Sequence, residues 1–138
     1  MTPRLTIERV AFERDRMAVL VRVPEGPQGC LGPEAARSLC EARPLLARHS
    51  CLNAEDAPFG AILPRTSLPH VLEHLIIDFQ AEGAKALPGA QPLTFLGSTE
   101  WLNEREGLAR VEVNFTDDLV ALAALKSALE LLNEGKVR

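Results

Sequence analysis

The chain has 138 residues, of which 46% are hydrophobic and 25% charged, so we expect one domain over residues 1–138 with its own core. The net charge is −4 and no basic stripe is present, which argues against a nucleic-acid partner. Without an apolar run of roughly 18 residues or a signal-peptide pattern, we expect a cytoplasmic protein with no membrane partner, and its three cysteines to be reduced thiols.

The first predicted unit is a β-hairpin. Residues 3–12 alternate apolar and polar side chains with a slip near Arg9, and residues 16–23 are rich in branched apolar side chains. Alternation with a period of two is typical of half-buried strands. Residues 24–34 contain several prolines and glycines, which predict a loop.

Two helices are predicted next. Pro33 suits the first turn of a helix that runs to about Ser50, and Pro44 should divide that helix because proline breaks a helix interior. Residues 53–65 are predicted to be a loop. A second helix is predicted from residue 66 or 67 to Glu82, with Gly83 at its end.

A second hairpin and a final helix complete the chain. Residues 92–102 are predicted to be extended, and residues 108–115 alternate most clearly. Residues 118–133 form a very apolar helix, which we expect to be the central helix on the sheet. The order ββ-α-α-ββ-α predicts an α+β fold: a two-layer sandwich with helices on one face of a mainly antiparallel sheet of two hairpins.

The second helix contains the run His70-Val-Leu-Glu73-His74. On a helix, residues four apart lie on the same face, so the two imidazoles can bind one ion, and two such imidazoles are natural zinc ligands. Glu73 flanks the same position and is suited to act as the general base for a zinc-activated water. The pattern H-x-x-E-H is the inverted form of the zinc-protease motif.

A catalytic zinc ion needs a third protein ligand. Glu112, a carboxylate on the polar side of the clearest predicted strand, is the leading candidate, and Glu100 and Asp117 are alternatives. Asp78 lies four residues after the second histidine and is a candidate partner for a ligand imidazole. We interpret His49 as a histidine at a helix end.

The same run also fits a helix that binds no metal. Its apolar side chains form one stripe that would face the core, while His70, Glu73 and His74 lie on another side. A surface helix whose polar face happens to contain two histidines and an acid would show this pattern.

Five segments of the chain resemble the N-terminal domain of cyanophycin synthetase, over about residues 30–133. The segments are RPLLARHSC (43–51), FGAILPRTSLPH (59–70), HVLEHLIIDFQAEGA (70–84), GSTEW (97–101) and the stretch 110–133. The sharpest match is the H-x-x-E-H helix, whose motif is also similar to that of insulinase and pitrilysin-type metallopeptidases.

The resemblance implies that His70 and His74 bind zinc, that Glu73 is the general base and that Glu112 is the third ligand. In some members of the family this domain is a zinc-dependent hydrolase that cuts cyanophycin internally, and in others it mainly binds the polymer. The ATP-grasp and Mur-ligase-like modules of the synthetase are not found here, so we do not expect the chain alone to make polymer. An arginine-bearing segment of the family is replaced by GSTEW, which argues against a cyanophycin-like substrate.

Two functional hypotheses follow. The leading one is a zinc-dependent hydrolase of a peptide or isopeptide bond, with a cyanophycin-like polymer or an Asp/Arg-type peptide among the candidate substrates. The alternative is a non-catalytic module that binds a peptide or a partner synthetase or ligase, and a homodimer is left open. An open cleft at the motif would favour hydrolysis, whereas Glu112 and Glu100 both beyond reach of the histidines would favour binding.

Overall fold

The computed structural model describes residues 3–50, 57–85 and 94–134. Four strands form the sheet: β1 (Thr6–Glu13), β2 (Arg16–Arg22), β3 (Gly97–Asn103) and β4 (Leu108–Asn114). Within these ranges the α-helices are α1 (Pro33–Ala42), α2 (Phe59–Ile62), α3 (Leu68–Lys85) and α4 (Asp118–Glu134). Short 3-10 segments occur at Gly26–Gln28, Pro44–Arg48 and Leu63–Arg65.

The sheet consists of two antiparallel hairpins joined through their inner strands, in the order β1-β2-β4-β3. Across the central pair, Met17 lies opposite Val113 and Val19 opposite Val111, and all four side chains are buried. The register of β1 shifts between Ile7 and Arg9, where the sequence pattern slips. The α+β class and the two-hairpin sheet are therefore confirmed.

The central helix is α3, and not α4 as we expected. It packs against α4 and against β3 and β4, and eleven of its eighteen residues are buried, so neighbours cover it on more than one side. In contrast, α4 leaves Leu119 and Leu122 73% and 40% exposed. The high apolar content of α4 therefore does not make it the innermost helix.

Two other boundaries differ from the sequence-based prediction. Gly83 does not end α3, which continues to Lys85. Gly83 instead lies where α3 packs on α4, because a Cβ atom there would lie 2.9 Å from Cγ1 of Val120. The predicted loop over residues 53–65 contains α2 and a 3-10 segment, in its part from residue 57 onward. The division of the first helix at Pro44 is confirmed.

None of the helices in the three described ranges has the length and apolar content that a membrane crossing requires. Cys30 and Cys40 are free thiols, while Cys51 lies outside the described residues.

Two glycines with matching backbone angles allow a test of this fold. Gly107 (φ +69°) and Gly26 (φ +68°) both adopt the left-handed conformation, but a Cβ on Gly107 would overlap the Val23 carbonyl oxygen. A Cβ on Gly26 would meet only an ordinary contact, 3.5 Å from the Glu104 carbonyl oxygen. We expect Gly26→Ala to lower the free energy of unfolding by about 1–2 kcal/mol, and Gly107→Ala by about 1–3 kcal/mol more because of the overlap.

Urea denaturation of both variants measures these differences. Equal losses for the two substitutions would contradict the close approach of the β3–β4 turn to the end of β2.

Candidate metal centre

Three side chains of α3 converge on one point. His70, Glu73 and His74 each offer a ligand atom, and these atoms all lie within 4.8 Å of one another. The two imidazole rings have centroids 5.0 Å apart. Side chains three and four residues apart on a helix are neighbours, so the convergence expected from the H-x-x-E-H spacing is present. This group can hold a metal ion.

Two of the three residues are buried. Glu73 is 6% exposed and His74 3% exposed, so the interpretation as a surface helix is wrong for these two residues. Phe59 of α2 covers the two imidazoles: its ring stacks on His74 with centroids 3.7 Å apart and meets the His70 ring edge-on at 5.5 Å. The short helix that the sequence did not predict therefore forms one wall of the site.

Burial keeps the two imidazoles neutral. It lowers the pKa of His70, and together with the neighbouring His70 and His49 it lowers the pKa of His74 to about 3. A metal ion binds the neutral form of histidine, so no proton has to leave either ring at neutral pH. Burial raises the pKa of Glu73, against the opposing effect of a hydrogen bond from Thr99.

Strand β3 holds the Glu73 carboxylate in place. The Thr99 hydroxyl donates a hydrogen bond of 2.6 Å to Oε1, and Oε2 lies 3.9 Å from Nε2 of His74. Gly97 makes room for the side chain, because a Cβ there would lie 2.7 Å from Cγ of Glu73. One carboxylate oxygen is therefore engaged by the strand and the other is directed at the histidines.

A chain of polar contacts runs behind His74. Its Nδ1 lies 3.0 Å from Nδ1 of His49, and Nε2 of His49 lies 3.5 Å from Oδ1 of Asp78. Arg43 donates to Oδ2 of Asp78 at 2.5 Å. Burial opposes ionisation of Asp78, but hydrogen bonds from His49 and Arg43 outweigh it and lower the pKa of this carboxyl.

His49 follows a short helical segment, as predicted, but its contact with His74 could not be read from that position. Asp78 contacts His49, whereas the sequence suggested a direct contact with a ligand imidazole. The contacts of Thr99 with Glu73 and of Phe59 with His74 were not predicted from the sequence either. For His49 a signal existed, because it is the third of the only three histidines in the chain.

An open cleft of about 600 Å³ lies in front of the three residues. Two serines, apolar and aromatic side chains and strand β3 form its walls together with the site itself. The lining residues are Ser50, Ser67, His70, Glu73, His74, Ile77, Phe95, Leu96, Gly97, Ser98, Thr99 and Trp101. The three residues therefore line a cleft that is open to solvent.

The structure does not bring the expected third ligand, Glu112, to the histidines. Thr99 of β3 is paired with Val111 of β4, and both side chains lie on the face of the sheet that contacts Glu73 and the core. Glu112 follows Val111 and points to the opposite face, where it binds Arg16 at 3.1 Å. The alternation that made this strand predictable also places Glu112 on the wrong side of the sheet.

The two alternative ligands are engaged elsewhere as well. Glu100 pairs with Arg110 on the outer face of the sheet. Asp117 accepts hydrogen bonds from the backbone N–H groups of Leu119 and Val120 at 2.9 and 3.1 Å, and so caps α4. Among the described residues, only His70, Glu73 and His74 form a group with metal-binding geometry.

No protein-family model matches the chain, and no curated protein matches it. The resemblance to the N-terminal domain of cyanophycin synthetase therefore remains an expectation based on the residues alone.

The buried neutral imidazole of His74 predicts a loss of stability in acid. The pKa of His74 is 6.5 in the unfolded chain and about 3 in the folded protein. Between these two values the unfolded state binds a proton at His74 and the folded state does not. The contribution of this residue to stability is complete above pH 6.5 and is lost as the pH falls toward 3. Between these pKa values, the free energy of unfolding falls by up to about 1.4 kcal/mol for each unit by which the pH is lowered.

Urea denaturation of the metal-free protein at several values between pH 7 and pH 4.5 measures this slope. His74→Phe removes the titrating group while keeping a ring beside Phe59, and should flatten the dependence on pH. Identical slopes for the two proteins would show that His74 does not remain neutral in the fold.

Proposed function

We propose that the protein is a metal-dependent hydrolase, with zinc as its metal, that cleaves a peptide or isopeptide bond. The observation that carries the proposal is the convergence of His70, Glu73 and His74 within 4.8 Å at the wall of an open cleft. The cleft was the feature expected to favour hydrolysis over binding.

The donor set fits zinc. Imidazole nitrogens are ligands that catalytic zinc takes, and His70 and His74 supply two of the three protein ligands of such a site. Both imidazoles are held in the neutral form that binds metal. A bound zinc ion would supply Lewis-acid activation of a water molecule and of the substrate carbonyl.

Glu73 is suited to move the proton of the attacking water. Burial raises its pKa, so the carboxylate accepts a proton more readily than an exposed glutamate does. Thr99 engages Oε1, which leaves Oε2 as the oxygen that takes the proton. As the water oxygen bonds to the carbonyl carbon and the C–N bond breaks, Glu73 returns this proton to the leaving amine.

The cleft bears on the choice of substrate. The segment GSTEW, which replaces an arginine-bearing segment of the resembling family, forms the start of β3 beside Glu73. Ile77, Phe95, Leu96 and Trp101 give the cleft an apolar surface. This surface supports a peptide with an apolar side chain near the cleaved bond more than an Asp/Arg-type peptide or a cyanophycin-like polymer.

A second candidate is a module that binds a peptide or a partner enzyme without cleaving it. It is favoured by the position of Glu112 and Glu100 on the outer face of the sheet, where neither can complete a zinc site with the histidines. In this case the buried polar group would contribute hydrogen bonds to a bound peptide instead of holding an ion.

Metal analysis of the purified protein separates the two candidates. We expect about one zinc ion per chain in the wild-type protein, because catalytic zinc sites hold a single ion, and none in His74→Ala. Glu73→Gln should keep the metal and lose hydrolysis of a mixed peptide library if Glu73 acts as the base. Loss of metal in Glu73→Gln would instead make Glu73 a ligand.

The outcome that contradicts the hydrolase is a wild-type protein that neither retains zinc nor takes it up, and that cleaves no peptide in the library. Binding of uncleaved peptides by that protein would support the second candidate.

The hydrogen bond from Thr99 predicts a shift in the pH dependence of hydrolysis. Because this bond lowers the pKa of Glu73, Thr99→Val should raise that pKa and move the acidic limb of the pH–rate profile to higher pH. The matched control is Thr6→Val on the exposed edge of β1, which should leave the profile unchanged. An unshifted profile in Thr99→Val would exclude Glu73 as the group that sets this limb.

A further inference from the structure

We propose that His49 is a positioning residue that determines which ring nitrogen of His74 carries the hydrogen, so that the other nitrogen presents a lone pair to the metal centre. The role of this hydrogen position in metal binding rests on the proposed function, but the hydrogen position itself can be tested in metal-free protein. It follows from the order of donors and acceptors along the contacts that link Asp78, His49 and His74.

The order begins at Asp78. This carboxylate is 7% exposed and lies between Arg43 at 2.5 Å and Nε2 of His49 at 3.5 Å. An ionised carboxylate only accepts hydrogen bonds. We therefore place the hydrogen of His49 on Nε2, the nitrogen that faces this carboxylate.

The next contact joins the two histidines. In a neutral imidazole one nitrogen donates and the other accepts, so the Nδ1 of a neutral His49 has a lone pair. Nδ1 of His74 lies 3.0 Å away, and a hydrogen bond at this distance needs one donor and one acceptor. Nδ1 of His74 is therefore the donor.

The last step gives the metal-facing atom. With its hydrogen on Nδ1, a neutral His74 has the lone pair on Nε2. Nε2 lies 3.9 Å from Oε2 of Glu73, which is beyond hydrogen-bond length, so this carboxylate does not require a hydrogen on Nε2. The contacts thus present a metal-binding lone pair toward the group of His70, Glu73 and His74. Histidines that bind metals generally donate their other N–H to such a partner, which orients the ring.

Both ends of this arrangement are anchored. The Arg43 guanidinium also binds Glu82 at 2.5 Å and lies 4.0 Å over the Phe79 ring, which fixes the donor to Asp78. The carbonyl oxygen of His49 accepts a hydrogen bond of 3.2 Å from the backbone N–H of Phe59. Phe59 in turn stacks on the His74 ring, so one local unit sets both the plane and the proton position of that ring.

The direct test is nitrogen-15 NMR of metal-free protein at pH 8, which identifies the protonated nitrogen in each imidazole. We expect hydrogen on Nδ1 of His74 and on Nε2 of His49. Hydrogen on Nε2 of His74 would overturn the inference, whether or not the protein binds metal.

Two substitutions test the consequence for the metal. His49→Phe keeps a ring but removes the acceptor, and should weaken zinc binding roughly 10–100-fold, as lost partners of ligand histidines generally do. His49→Asn keeps an acceptor oxygen near the position of Nδ1, and should bind zinc with an affinity close to that of the wild type. Competition with a zinc chelator measures both affinities, and thermal denaturation checks that both variants fold.

The outcomes separate this inference from the proposed function. Equal zinc affinity in wild type and His49→Phe, or an equal loss in both variants, contradicts the role of His49 as an acceptor while the metal centre stands. A wild-type protein that binds no zinc contradicts the proposed function, and the NMR result then still decides how His74 is protonated.

Discussion

The structure depends on the burial of the polar side of α3. Glu73 and His74 lie in the interior, where a polar atom without a hydrogen bond costs on the order of 1–3 kcal/mol. Each is therefore partnered from another part of the chain: Thr99 of β3 donates to Glu73, and His49 contacts His74. Among the described residues, no buried side-chain nitrogen or oxygen lacks a partner.

This constraint explains why the fold and the site form together. The cleft-side wall is the edge strand β3, where Gly97 lets Glu73 approach the backbone. The opposite wall is α2, whose Phe59 covers both imidazoles. Helix α3 lies between these walls and packs on α4 behind them. A buried helix with inward-facing polar groups has to be held in this way, which makes the surrounding elements part of the site.

The local half of this arrangement was predictable. Hairpins follow from period-two alternation, and the convergence of His70, Glu73 and His74 follows from helical spacing. The roles of His49, Phe59 and Thr99 depend on contacts across 15 to 26 positions of sequence, which no local pattern encodes. The prediction of Glu112 as a ligand was wrong for a related reason. The alternation of side chains predicts that a strand has two faces, but it does not predict which face packs against α3.

The central claim is that the buried polar group of α3 is a metal centre. The most direct measurement is a crystal structure of the protein grown with zinc, with anomalous diffraction recorded at the zinc absorption edge. We expect one anomalous peak among Nε2 of His74, the His70 ring and the Glu73 carboxylate. A peak elsewhere on the surface, or clear density for the three side chains with no peak between them, would contradict it.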